Sequence, residues 1–206
     1  MNRTRKIFLA LIVCVVVLFA AACGNDNASF KHGSWSDNTY TSKFLGLKIQ
    51  LGSDWMASSD DILAKTLGIS DMSDSSLRTV FDKGGAVVEM SALRSDASSI
   101  SITVMDNDTA EVLNEEDFFS EENISRLKAD FESTGSECTV YKDTVRFLGK
   151  DTDCINLAYT VQLPALSTPS CEILIPFFKS HYTAIITFSA NDRVSLSELL
   201  GVAAAI

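Results

Sequence analysis

From Ile7 to Ala22 the chain is apolar without a break; further on, apolar positions alternate or recur at helical spacing. Tyr40–Phe44 and Leu47–Leu51 read as two strands turned at Leu45-Gly46, with Leu47, Ile49 and Leu51 on one face and Lys48 and Gln50 on the other. A Gly52-Ser53-Asp54 turn leads to Trp55. Ser58-Ser59-Asp60-Asp61 has the form of a capping box and predicts a short helix to Leu67, with Ile62, Leu63 and Leu67 inward and Gly68 as the stop. Met72, Leu77, Val80 and Phe81 mark a second short helix within 69–82.

After Gly84-Gly85, Val88, Met90 and Ala92 alternate with Glu89 and Ser91, and Ile100, Ile102 and Val104 alternate with Ser99, Ser101 and Thr103. This pattern predicts a hairpin turned at 94–97, with Glu89 on the polar face. Asn114–Ser133 is the most helical segment: Asn114 caps it, Glu115, Glu116 and Asp117 suit the positive end of the dipole, and Phe118, Ile124, Leu127 and Phe131 form the stripe. Past Gly135 four strands are expected, Thr139–Leu148, Ile155–Leu163, Glu172–Phe178 and Tyr182–Phe188, with turns at 149–153, 164–169 and 179–181. Pro176 places its strand at an edge or bulge, because proline gives no N–H to the ladder. Ser195 to Glu198 reads as a last capping box, opening an amphipathic helix with Leu196, Leu199, Leu200, Ala203 and Ile206 inward. Strands in hairpins with helices between them predict an α+β fold, a mostly antiparallel sheet with helices on its faces.

The apolar run has a basic head, Arg3, Arg5 and Lys6, and ends in Ala20, Ala21, Ala22 and Cys23. It is shorter than the ~20 residues of a membrane-crossing helix and closes on small residues suited to cleavage. It resembles the signal peptide of a bacterial lipoprotein precursor. That resemblance implies a signal-peptide helix over residues 1–22, lipid attachment at Cys23, and a mature chain anchored in the cell membrane on its extracytoplasmic face. Two acyl chains anchor stably where one binds only marginally. Residues 23–38, rich in Asn, Asp, Ser and Gly, read as a flexible tether that lets the body stand off the headgroups, and 39–206 as a single α+β domain.

The order Trp35, Tyr40, Phe44, Leu45-Gly46-Leu47, Ile49, Leu51, Trp55 resembles the opening of the PsbP/Mog1-like domains that recur in lipoproteins of Gram-positive bacteria. The resemblance implies an α/β/α sandwich around a central, mostly antiparallel sheet, and a role in binding other proteins. The Gram type of this chain's envelope stays open.

Charge narrows the partners. The formal net charge is −10, and loss of Arg3, Arg5 and Lys6 with the signal makes it −13. Such a chain lacks the basic surface that nucleic acid demands, and its acidity disfavours broad contact with anionic headgroups. Cys138, Cys154 and Cys171 remain beside Cys23 in the mature chain; they allow one disulfide at most or serve as small hydrophobes.

No catalytic residue is assigned. His32 falls in the tether and His181 in a turn, both expected to face solvent, and no G-x-S-x-G elbow is present. A Cys171–His181 pair is disfavoured by their offset along neighbouring strands. Asp106-Asn107-Asp108-Thr109 with Glu111 offers too few oxygens for calcium and reads as a solvated acidic turn, so neither metal nor cofactor is expected. Trp35, Tyr40 and Trp55 are candidates for an exposed aromatic surface or for plugs of the core. The functional expectation is a non-catalytic envelope lipoprotein that binds an unknown envelope protein. The alternatives are a surface hydrolase with an unrecognised site and a small-ligand carrier.

Overall fold

The computed structural model describes residues 29–110, 114–134, 136–163 and 166–206. The expected signal peptide, Cys23, the first part of the tether, Glu111, Gly135 and the start of the 164–169 turn lie outside the described residues.

The chain is α+β, and among the described residues every strand pairing is antiparallel. Three strands come first, β1 (Ser34–Ser36), β2 (Thr39–Ser42) and β3 (Leu47–Gln50). Gly46 turns β2 into β3 at φ 72°, a conformation that favours glycine. Next come β4 (Trp55–Ala57), α1 (Asp60–Leu67), α2 (Asp74–Phe81), β5 (Val87–Arg94) and β6 (Ser99–Asp106). Gly68 ends α1 at φ 72°, as the sequence predicts; the cap is Ser59, one residue past the start of the expected box, accepting the Ile62 N–H, and Ile62 is exposed while Leu63 and Ala64 turn inward. α2 is the second short helix expected, capped by Ser73.

The helix expected over 114–133 is two helices, α3 (Glu115–Phe118) and α4 (Glu121–Ser133). Ser120 breaks it by serving as a second N-cap, accepting the Asn123 N–H. The break lets Phe118, Leu127 and Phe131 all reach the sheet. The meander follows as β7 (Cys138–Phe147), β8 (Lys150–Leu163), β9 (Leu166–Lys179) and β10 (Tyr182–Ala190). Leu148 and Gly149 both have positive φ, a two-residue turn whose twist matches the flanking strands. Residues 150–153, expected as a turn, are therefore strand.

The last helix, α5 (Arg193–Leu199), is capped by Asp192, not Ser195: Asp192 Oδ1 accepts the N–H groups of Val194 and Ser195 at 2.9 Å. Past Leu199 the helix does not continue as expected. A 3₁₀ turn over Leu200–Val202 leads into β11 (Ala203–Ala205) on β3. Gly201 weakens the helix, and the free edge of β3 supplies backbone partners that a further helical turn would leave unused.

Two sheets result, β1-β2-β3-β11 and β4-β5-β6-β10-β9-β8-β7. One core lies between the large sheet and the small sheet with α1, α2 and α5; it includes Tyr40, Leu47, Ile49, Met90, Ile102, Phe188 and Leu199. A second core lies on the opposite face, under α3 and α4, around Phe131, Ile155, Leu157, Leu174 and Ile185. β9 sits inside the sheet, yet it has neighbours on both sides only from Cys171 to Leu174. Pro169 and Pro176 fall just outside that stretch, so each occupies a locally one-sided strand, which reconciles the expected edge with an interior strand.

Residues 29–38 belong to the folded body. Phe30 is buried, with its ring centroid 5.3 Å from Phe44, 5.5 Å from Phe81 and 5.9 Å from Tyr182. The body therefore begins before the expected boundary at residue 39, because two large apolar side chains, Phe30 and Trp35, find burial there.

Candidate functional site

An open groove of about 610 Å³ lies where the outermost strand of each sheet meets α1. β1 contributes Ser34 and Trp35, and β4 contributes Trp55 and Ala57. Asp60 and Asp61, in the first turn of α1, and Asp37, in the β1–β2 turn, add three carboxylates. The two tryptophans divide the roles foreseen for them: each packs on the core and each also walls the groove. Trp35 lies 5.2 Å from Tyr40, and the Arg94 guanidinium sits 5.5 Å over Trp55. Tyr40 itself is fully buried and serves the core.

Glu89 lies behind this wall. The β5–β6 register slips between Val88 and Met90, and the bulge turns Glu89 inward, with no exposed surface, against the outward position that strict alternation predicts. Its Oε1 accepts the Tyr40 hydroxyl at 2.9 Å and the Gly33 N–H at 3.2 Å, while Oε2 is buried without a hydrogen-bond partner. Gly33 is required by this approach: a Cβ there would strike the Tyr40 hydroxyl and come within 2.7 Å of the Thr41 carbonyl oxygen. Desolvation pushes the Glu89 carboxyl up to about 7, although the interactions with Tyr40, Ser42 and Gly33 oppose the shift. Burial and the Glu89 charge raise the Tyr40 hydroxyl well above its ordinary value.

His32 is not the solvent-facing tether residue expected. Its side chain is 9% exposed, Nε2 stands 3.3 Å from Asp60 Oδ1, and Nδ1 is buried without a partner. Its neighbours in the N-terminal strap, residues 29–33, carry it into the body. His181 stacks on Tyr182 at 4.1 Å, and its ring comes together with Asp106 and Asp108, ligand atoms within 4.8 Å of one another. These three residues can hold a metal ion, and the Asp106 part of the expected solvated acidic turn is fully buried. Its carboxylate is already engaged, with Oδ2 3.2 Å from Arg78 and Oδ1 accepting the Asp108 N–H at 3.0 Å. The sequence could not show His181 here, since it arrives from the β9–β10 turn.

Cys138, Cys154 and Cys171 are all free. Burial pushes Cys138 up to about 11 and Cys154 up to about 12, and raises Cys171, which makes all three poor nucleophiles at neutral pH. Cys171 pairs with Ala190, at the opposite end of β10 from His181, so the two make no catalytic pair. A second open groove of about 470 Å³ runs between the β7–β8 turn and the 3₁₀ turn, lined by Val145, Leu148, Ser197 and Leu200 among others. Among the described residues no helix is long and apolar enough to cross a membrane.

The chain matches no family model and no curated protein sequence.

Proposed function

We propose that this chain is a lipid-anchored, extracytoplasmic lipoprotein whose domain does no covalent chemistry and binds a protein of the cell envelope through the Trp35–Trp55 groove. The observation that carries the reading is the groove's make-up: two aromatic faces, three carboxylates and the outermost strand of each sheet around one opening. Tryptophan faces and carboxylates attract lysine and arginine side chains. Outer strands offer backbone partners to an extended segment. The fitting occupant is thus an extended, basic stretch of polypeptide. The antiparallel sheet with helices on both faces is compatible with the α/β/α sandwich of the PsbP/Mog1 group, whose protein-binding habit agrees with this reading. The signal-like residues 1–22 and Cys23 support the anchorage.

Photo-crosslinkers placed at Ser34 and Ser58 in the anchored protein test the groove. Crosslinks to one lysine- or arginine-rich segment are expected, and they should be lost in the Asp37→Asn, Asp60→Asn, Asp61→Asn triple variant. Crosslinks that persist in that variant overturn the groove as the binding site. The anchorage has its own check: Cys23→Ala should move the protein from the membrane to the soluble fraction, and unchanged fractionation refutes it.

A further inference from the structure

The strap that supplies Gly33 to Glu89 also fixes where the chain leaves the domain. Phe30 is locked among Phe44, Phe81 and Tyr182. Only five residues lie between Cys23 and Ser29, a span of at most about 22 Å even when fully extended. A chain anchored at Cys23 therefore holds this end of the domain close to the bilayer, in place of the long stand-off expected from a tether reaching residue 38.

The charge at this end is opposite to that of the molecule. Lys31 and Lys43 are exposed beside Phe30 and Phe44, and Lys83 is exposed two residues past Phe81. Lys179 donates to the Phe44 carbonyl and stands 5.1 Å over its ring. Arg78 is half-exposed on α2. Against these stand Asp82, Asp106 and Asp108. Asp82 is paired with Arg78 at 2.8 Å, and Asp106 is buried on the same arginine. Lys31, Lys43, Lys83, Lys179 and Arg78 together outnumber Asp82, Asp106 and the exposed Asp108, so the sign is positive at the exit point of a chain whose net charge is −10.

We infer that this lysine-bearing end, around the Phe30 exit, is a face that lies against an anionic lipid surface; the inference rests on the anchorage proposed above. An anionic leaflet attracts each lysine near its surface by about fivefold in affinity, and the attraction fades within about 10 Å, which the short connection to Cys23 keeps in reach. The acidic remainder of the body is repelled, so the two effects together orient the domain with the Trp35–Trp55 groove left to its partner.

The full chain, processed in a bacterial host and reconstituted on vesicles of phosphatidylcholine alone or with phosphatidylglycerol added, tests this. Flotation with both vesicles comes first; a protein that floats with neither lacks its anchor, and the inference falls with that reading. For floating protein, amide exchange over 78–85, 106–109 and 179–182 should slow about fivefold or more on the phosphatidylglycerol vesicles relative to phosphatidylcholine. The difference should vanish in the Lys31→Glu, Lys43→Glu, Lys83→Glu variant, with urea unfolding unchanged. Equal exchange on the two lipids overturns the inference. Protection that appears in native envelopes but not on pure lipid also overturns it, since a protein would then cover this end.

Discussion

Each face of the seven-stranded sheet carries a glutamate that accepts from a tyrosine, and the two pairs are built differently. On the face under α4, Tyr159 and Glu172 are diagonal neighbours on β8 and β9, with the hydroxyl 2.6 Å from Oε1. Both belong to a regular ladder, and Tyr159 and the Ser189 hydroxyl on β10 oppose, without cancelling, the rise that burial gives the Glu172 carboxyl. On the other face, Tyr40 and Glu89 come from different sheets, Glu89 sits on a bulge, and its second donor is the Gly33 N–H of the N-terminal strap. The first pair is a local product of strand pairing. The second joins three distant segments and depends on a strap whose main apolar anchor is Phe30. A regular ladder can thus bury an acid with help from its neighbours alone, whereas a bulge needs partners recruited from elsewhere.

The widest separation of the two pairs should come from cutting the strap's anchor. Phe30→Ala should cost about 3 kcal/mol in urea unfolding, and limited proteolysis should then cleave within 31–36 while β8–β9 stays protected. If the strap stays protected, its hold does not come from Phe30.

The next largest effect is on pH dependence. The folded value for Glu89 lies above its ordinary 4.5, at about 7, so folding favours the neutral carboxyl. Its stabilising contribution is complete below about pH 4.5, is lost as pH rises to about 7, and is flat above that. Glu89→Gln should therefore raise stability at pH 8 by about 2–3 kcal/mol and flatten the loss between pH 4.5 and 7, read as Tm against pH. Burial raises Glu172 as well, so Glu172→Gln should act with the same sign. A Glu89→Gln protein with the wild-type Tm profile would mean that Glu89 is ionised at little cost in the fold.

Removal of single hydroxyls should separate the pairs more finely. Tyr40→Phe should cost about 1–2 kcal/mol, since Glu89 then keeps only Gly33 and Ser42 and is wholly cut off from water; Tyr159→Phe should cost less, since Glu172 keeps Ser189 and is only half-buried. Equal losses in chemical denaturation would erase the distinction. Ser189→Ala should be the mildest, about 0.5 kcal/mol, and should leave the Glu89 titration untouched by carboxyl NMR.

Much of this was legible from the residues alone. Gly68 ends α1 because cap chemistry is local, and the inward face of β8, with Ile155, Leu157 and Tyr159, follows from period-two alternation. Glu89 was misplaced because a one-residue bulge reverses the face without any local mark in the sequence. His32 and Phe30 were assigned to a tether because Asn, Asp, Ser and Gly dominate their surroundings, and composition does not tell whether a distant aromatic cluster will accept Phe30. Trp35, Tyr40 and Trp55 read as one aromatic surface or as core plugs; that Trp35 and Trp55 wall a groove while Tyr40 is buried follows only from the docking of the two sheets.

By itself the sequence determined the class of structure, the Gly68 stop of its first helix and the order of strands in its meander, since propensity, capping and hydrophobic period act over a few neighbouring residues. Tertiary structure alone decided that Ala203–Ala205 leaves the helix to pair with β3, that Glu89 turns inward, that His181 joins Asp106, and that the N-terminal strap is locked down. Each of these joins groups far apart along the chain, and their free energies exist only once the sheets have come together.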